Sequence, residues 1–307
     1  MNPIEFGLKW TVRVLRIVKQ CLLNPRHLRR NRIGVNTCRE LFKGRRSLVL
    51  GTGRSLMGSI KSIIDYNPQP ASIFVLWAVN NFALSAEFRR LKPQNYVMLD
   101  PDFFSKNSVD GTERRNALLE ALRQVDWAMF IWLPFAAVNN KMWIEFDKTK
   151  PSNLTLIPFP VVTYETMYPM SISAYRHLGI APNYQNVVTI CAFFAILCGA
   201  NEVGVLGADH NWHKDMIVGN DNVLRTHVPH FDDDKEPPPP VIFMHSIEKG
   251  PFTVSELFEA LSITFKGHRE VNKVACRLGQ SVINLSENSF VDAYPREVLS
   301  HWLKKDA

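Results

Sequence analysis

A chain of 307 residues, 46% hydrophobic and 21% charged, is long enough to bury one large core or two modest ones and is neither disordered nor fibrous. Its five cysteines (Cys21, Cys38, Cys191, Cys198 and Cys276) are odd in number and lack metal-ligand spacing, which argues against a disulfide framework and for a reducing compartment. The net charge of +7 is uneven: residues 1–46 carry 12 Lys+Arg against 2 Asp+Glu, and the rest of the chain carries 24 against 27.

In chain order, the first element is an amphipathic basic segment. Ile4, Leu8, Leu15, Val18 and Leu22 share one helical face with Val14 and Cys21 beside them, while Lys9, Arg13, Arg16 and Lys19 fall mostly on the other. Charges inside such a stretch cost about 2.5–3.5 kcal/mol each at mid-bilayer, so it is no transmembrane span. They also interrupt the apolar run that a signal peptide needs. The cluster NPRHLRRNRIG follows past a proline. A basic helix with a polybasic tail suits an anionic membrane surface; the other reading is a helix packed on its own domain with a solvated basic face. Nucleic acid is disfavoured, because no aromatic residues are interleaved with the cluster. The expected organisation is a basic N-terminal segment, 1–46, followed by one domain, 47–307.

The domain opens on LVLGTGRSL, a strand, a glycine turn at Gly51-Thr52-Gly53-Arg54-Ser55, and a helix with Leu56, Ile60, Ile63 and Ile64 at helical spacing. Helix N-terminal amides and glycines suit an anion, yet the turn lacks both the third glycine of a dinucleotide fingerprint and the Lys-Ser/Thr of a P-loop. SIFVLWAVNNFAL reads as a strand ending at Asn80-Asn81, and NYVMLDPDFF as one ending at Asp100-Pro101-Asp102. A helix (RRNALLEALRQV), a strand running into a loop (WAMFIWLPFAA) and a short strand (NLTLIPFPVV) come next, and residues 163–183 read as loop. NVVTICAFFAILCGA is an apolar helix, and EVGVLGADHNWH a strand running into Asp209-His210. Residues 214–250 hold an acidic run, four consecutive prolines and three histidines, and read as a surface loop, either an inert insertion or, from its place after the site-bearing strand, a lid over the crevice. One long or two short helices then start at Thr253, with Glu256 completing a capping box, and SVINLSENSFVDAYP returns the chain to the sheet.

Strands alternating with helices predict an α/β fold, a doubly wound, mostly parallel Rossmann-like sheet, with ligands in the crevice beyond the strands' carboxyl ends. Those ends carry Gly51–Ser55, Asn80-Asn81, Asp100/Asp102 and Asp209-His210. A single Asn or Asp there is ordinarily a cap or an Asx-turn; four polar strand ends together favour a nucleotide crevice.

These residues resemble the bacterial CMP-sialic acid-dependent sialyltransferases and the related motility accessory factor-type glycosyltransferases. That family's Gly-x-Gly-Pro-Ser-Leu turn is similar to Gly51–Leu56, its Asn-x-Phe to Asn80-Asn81-Phe82, its Asn-Pro-Asp to Asp100-Pro101-Asp102, its Gly-x-Asp to Gly207-Ala208-Asp209, and its Pro-Asn-Ser-like end to Ser286–Ser289. The resemblance spans about residues 47–292 and implies a single-domain glycosyltransferase fold with a lid after the Gly-x-Asp strand. It implies a nucleotide held by Gly51, Thr52, Gly53, Arg54, Ser55, Asn80, Asn81, Asp100, Asp102 and Gly207, a histidine as general base, and no metal. Arg54 replaces the family's proline, Asp100 its asparagine, and the lid lacks the tyrosines that support the leaving phosphate. Arg225 or His227 is the substitute for that support.

The expected reaction is transfer of a sialic acid-like sugar from a CMP-activated donor to a glycan acceptor in bacterial surface polysaccharide synthesis, at the cytoplasmic side of the inner membrane. The base comes from His210, His213, His227, His230 and His245, with His230, near carboxylates, and His210, directly after Asp209, foremost. Asp209, His210 and His213 also have ligand chemistry at close spacing. The alternatives are a Mg²⁺-dependent diphosphotransferase of the hydroxymethylpterin pyrophosphokinase type, using Asp100, Asp102 or Asp209, and a non-catalytic nucleotide-binding protein. The sequence does not define an oligomeric state.

Overall fold

The computed structural model describes residues 11–12, 15, 18–19, 21–66, 69–104, 111–163, 175, 179–183, 185–228, 230–231, 240–243 and 250–306. The face expected from Ile4, Leu8, Lys9, Arg13, Val14 and Arg16, and the candidate base His245, lie outside them.

The chain forms a parallel seven-stranded sheet in the order β11-β8-β1-β2-β3-β4-β5. The strands are β1 (Ser47–Leu50), β2 (Val75–Val79), β3 (Asn95–Val97), β4 (Met129–Pro134), β5 (Leu154–Phe159), β8 (Glu202–Leu206) and β11 (Ser281–Asn284). β1 and β2 are buried along their whole length, as continuous apolar runs are when helices cover both faces. This is the doubly wound Rossmann-like architecture expected.

From β1 the chain steps outward to β5 through α2 (Leu56–Tyr66), α3 (Ala86–Leu91), α4 (Gly111–Arg123) and α5 (Lys141–Thr149). It then returns through α6 (Val187–Leu197) to β8, on the other side of β1, and through α7 (Val254–Arg277) to β11. The order of the strands therefore reverses between β1 and β8. Leu48 and Leu50 pack with Leu56, Ile60 and Ile63 of α2 on one face, whereas Val49, Trp77 and Trp132 pack under α6 on the other. α6 is apolar all round and correspondingly buried, with Phe194 stacked on Trp132 at 4.5 Å.

Several expectations are corrected. The second half of the N-terminal segment is no polybasic tail but α1 (Pro25–Phe42), which lies on β5 and buries Asn31, Gly34, Val35, Cys38 and Phe42. Arg30 is tied to Asp147 at 2.7 Å, and a Cβ on Gly34 would sit 2.6 Å from Ile157 Cγ1. The boundary at residue 46 therefore cuts through packed structure. The supposed loop after β4 is a helical turn, Phe135–Val138. Within the stretch read as loop, β7 (Ala181–Asn183) pairs in parallel with β6 (Val161–Thr163). The segment from Thr253 is one helix, α7, capped by the Thr253–Glu256 box. The lid contains a small hairpin, β9 (Ile217–Val218) with β10 (Leu224–Arg225), and Leu224 packs on Leu257 and Leu261 of α7. α8 (Leu299–Leu303) closes the chain, its Trp302 buried on Phe74. Among the described residues no helix is long and apolar enough to cross a membrane.

Candidate functional site at the topological switch

Beyond β1 and β8 the two turns run side by side: Gly51 N donates to Leu206 O at 2.8 Å and Gly53 N to Gly207 O at 2.9 Å. A Cβ on Gly51 would overlap the Gly207 carbonyl, and one on Gly53 would lie 2.7 Å from it and 2.8 Å from Asp209 Cγ. Gly207 itself has φ +66°, a backbone that favours glycine. All three glycines are thus required by the mutual approach of two turns, before any ligand is considered.

Asp209 closes the same junction. Its carboxylate accepts from Ser55 N at 3.0 Å and from Ser55 Oγ, so it caps α2 where the helix dipole favours negative charge. It therefore acts here on the glycine turn, occupying the first anion position of the helix. The C-terminal chain holds this loop from behind: Ser286 Oγ accepts from Ala208 N at 3.0 Å, Ser289 Oγ donates to Ala208 O at 2.6 Å, and Phe290 N donates to Asp209 O at 2.9 Å.

His210 does not face the crevice. It is 4% exposed, in a left-handed conformation (φ +51°), with its ring stacked on Trp212. Its Nε2 lies 2.9 Å from His268 Nε2; His268 Nδ1 lies 2.9 Å from the Tyr294 hydroxyl, and His268 Nε2 lies 3.2 Å from Thr189 Oγ1. Two Nε2 atoms at that distance share one proton, so at least one of the rings is neutral. Burial lowers His210 to about 3 and, with the neighbouring His210, holds His268 well below the usual histidine range; burial likewise raises the Tyr294 phenol. A base sealed in such a network meets no acceptor hydroxyl, which removes His210 from that role. Nothing local in the sequence marks His268 or Tyr294: one sits in the middle of an amphipathic helix, the other in a loop.

The lid crosses the glycine turn. His230 forms an antiparallel bridge with Gly53, Phe231 N donates to Thr52 O at 3.1 Å, and the buried Phe231 ring stacks on Phe82 at 5.3 Å. The backbone of His230, a half-buried residue, is thereby paired with the glycine turn at Gly53. Asp232–Asp234 lie outside the described residues.

The remaining strand ends divide. Asn80 (φ +42°) is structural: its Oδ1 accepts from Leu99 N at 3.2 Å, and its carbonyl accepts from the Tyr96 hydroxyl. Asn81 Oδ1 is buried and accepts no hydrogen bond among the described residues. A buried acceptor without a donor costs about 1–3 kcal/mol, so this is the strand-end atom best suited to a ligand N–H or O–H. Asp100 is half-buried at the end of β3, and of Asp102 only the backbone, in the turn Pro101–Phe103, is described.

Arg225 is held by Asp221, at 2.7 and 3.0 Å, across the β9–β10 hairpin, which lowers the Asp221 carboxyl to about 2. Its guanidinium is engaged within the lid instead of being presented to a phosphate, which leaves His227, half-buried beside the buried Thr226, as the candidate there. Asp209, His210 and His213 diverge towards Ser55, His268 and Phe290 respectively. No three His, Cys, Asp or Glu side chains among the described residues gather to hold a metal.

The chain matches no protein-family model, and no curated protein matches it in sequence.

Proposed function

We propose that the protein is a glycosyltransferase that moves an acidic, sialic acid-like sugar from a CMP-activated donor to a glycan acceptor, working at an anionic membrane surface in surface polysaccharide synthesis. The observation that carries this reading is the bridge between His230 and Gly53, which pairs the backbone of a histidine with the glycine turn at the switch point of a parallel sheet. In this reading the nucleotide lies over Gly51–Ser55 with Asn81 Oδ1 accepting from it. His230 takes the proton from the acceptor hydroxyl as the acceptor oxygen bonds to the anomeric carbon. The bond from that carbon to the phosphate oxygen breaks, CMP departs, and His227 offsets its charge.

A thermal-shift panel of CMP, CDP, UDP, GDP and ATP, each with and without Mg²⁺, tests the reading. CMP stabilises the protein alone or with the metal, by about 2.7 kcal/mol at a hundredfold excess over its Kd. Stabilisation by ATP only, and only with Mg²⁺, replaces the proposal with a diphosphotransferase. No shift with any nucleotide refutes the nucleotide crevice.

A further inference from the structure

We infer that the crevice end of the sheet is the end that meets the membrane, docked on anionic lipid by a ridge of exposed leucines and arginines leading into α1, so that the acceptor is one carried on a lipid in that surface. The inference rests on the membrane location proposed above and adds to it a face, an orientation and a class of acceptor.

α1 runs antiparallel to the strands. At its start, His27 Nε2 lies 2.9 Å from Asn139 Oδ1, and Asn139 Nδ2 donates to Asn24 Oδ1 at 3.2 Å, just past the carboxyl end of β4. After its last turn, Gly44 N donates to Gly199 O at 2.8 Å, before the start of β8. The first turn of α1, and the helical residues that precede it, therefore stand at the carboxyl end of the sheet, where the crevice opens.

That end exposes apolar surface. Leu22 and Leu23 are 73% and 69% exposed, and Ile33 continues the line along α1. The arginines among them fall into two sets. Arg30 is paired with Asp147, Arg39 donates to the Leu197 carbonyl, and Arg46 is stacked on Trp302 beside Glu202. Arg26, Arg29 and Arg32 are exposed, and among the described residues none of them pairs with a carboxylate. No Asp or Glu occurs between Glu5 and Glu40. Aliphatic tips interleaved with cations of one sign, on a helix whose sole carboxylate, Glu40, falls in its last turn, match the interface of an anionic bilayer. On the other flank of the crevice, Ile217 and Val218 of the lid hairpin and Phe258 of α7 are exposed as well, which supplies a second apolar footing at the same end.

Full-length protein is sedimented with vesicles of phosphatidylcholine containing phosphatidylglycerol, and with vesicles of phosphatidylcholine alone. Binding requires the anionic lipid and weakens with salt. A variant with Arg26→Gln, Arg29→Gln and Arg32→Gln loses roughly a hundredfold in affinity, as three basic side chains near such a surface should. Leu22→Ser with Leu23→Ser also weakens binding, while both variants keep the parent's thermal transition. An environment-sensitive dye on Ile217→Cys, in a Cys276→Ser background, shifts to the blue on vesicles; the same dye on Cys276, exposed at the far end of α7, does not. No binding by the full-length chain refutes the membrane location itself. Binding that ignores the ridge variants, or a shift at Cys276 in place of residue 217, overturns only the ridge and its orientation. Self-association lost in the leucine variant without dependence on vesicles assigns the ridge to a second copy of the chain and overturns the proposal.

Discussion

His210, packed beneath the floor of the crevice, and His230, on its lid, come from neighbouring stretches of chain and differ in almost every physical respect. His210 is buried, neutral and bonded to His268 behind the strand ends, in a left-handed backbone held by Trp212. His230 is half-buried, lies across Gly53, and is carried by a segment whose other anchor is the stacking of Phe231 on Phe82. The floor is set by close packing between β1, β8 and the C-terminal chain, where each polar group answers to a distant element. The described part of the lid is held by its pairing with the glycine turn, by Phe231 on Phe82 and by Leu224 on α7. In the reading proposed above, the nucleotide meets the packed floor and the proton-transfer group comes from the segment that crosses the glycine turn.

The largest effect should separate packed scaffold from docking segment. Removing residues 1–44 uncovers the partners of Val35, Cys38 and Phe42, each worth roughly 1.5–3 kcal/mol of burial, against a total stability of about 5–15 kcal/mol. That protein should lose its cooperative thermal transition, whereas one lacking residues 1–23 keeps it. If both unfold alike, α1 is not what divides the segment.

Next comes the contrast between the histidines. His230→Ala should lower kcat by about 10²–10⁴ with little change in donor KM, the usual share of general base catalysis, and leave the melting temperature near the parent's. His210→Ala should instead lower stability, by opening a buried polar network. Equal turnover by parent and His230→Ala would end the histidine-base mechanism.

The floor should also titrate. The folded-state pKa of His210 is depressed to about 3 from an ordinary 6.5, so its contribution is fully present above pH 6.5 and is lost as pH falls towards 3. Between pH 7 and pH 5 it removes about 2 kcal/mol, and His268 adds in the same direction. Denaturant titrations at pH 7, 6 and 5 should show this decline, flattened in His210→Gln; an unflattened decline would place the titrating groups elsewhere.

A smaller loss, about 1–3 kcal/mol of overpacking, is expected from Gly53→Val, whose side chain meets the Gly207 carbonyl and the Asp209 carboxylate. Nucleotide affinity should fall with it in a thermal-shift titration. The smallest effect belongs to Asp221→Asn, which frees Arg225 in an exposed hairpin; its melting temperature should match the parent's, since surface pairs contribute little. A marked rise in donor affinity on freeing Arg225 would return that residue to the phosphate.

The sequence by itself determined the layered α/β fold, the strand ends that carry polar residues, the glycine turn, the capping box of α7 and the uneven charge. These follow from local spacing: apolar runs of strand length, helical periodicity, and turn residues that relieve backbone constraints. Only the tertiary structure decided that Asp209 caps Ser55, that His210 turns inward to His268 and Tyr294, that Arg225 is engaged by Asp221, and that the arginines of α1 divide into paired and exposed sets. Apart from the Arg225–Asp221 pair, which closes within one hairpin, these depend on which distant groups a side chain meets once the sheet has brought its elements together. A hydrogen bond between residues more than a hundred positions apart leaves no period in the sequence, so the chemistry of an Asp or a His at a strand end stays undetermined until the fold supplies its partner.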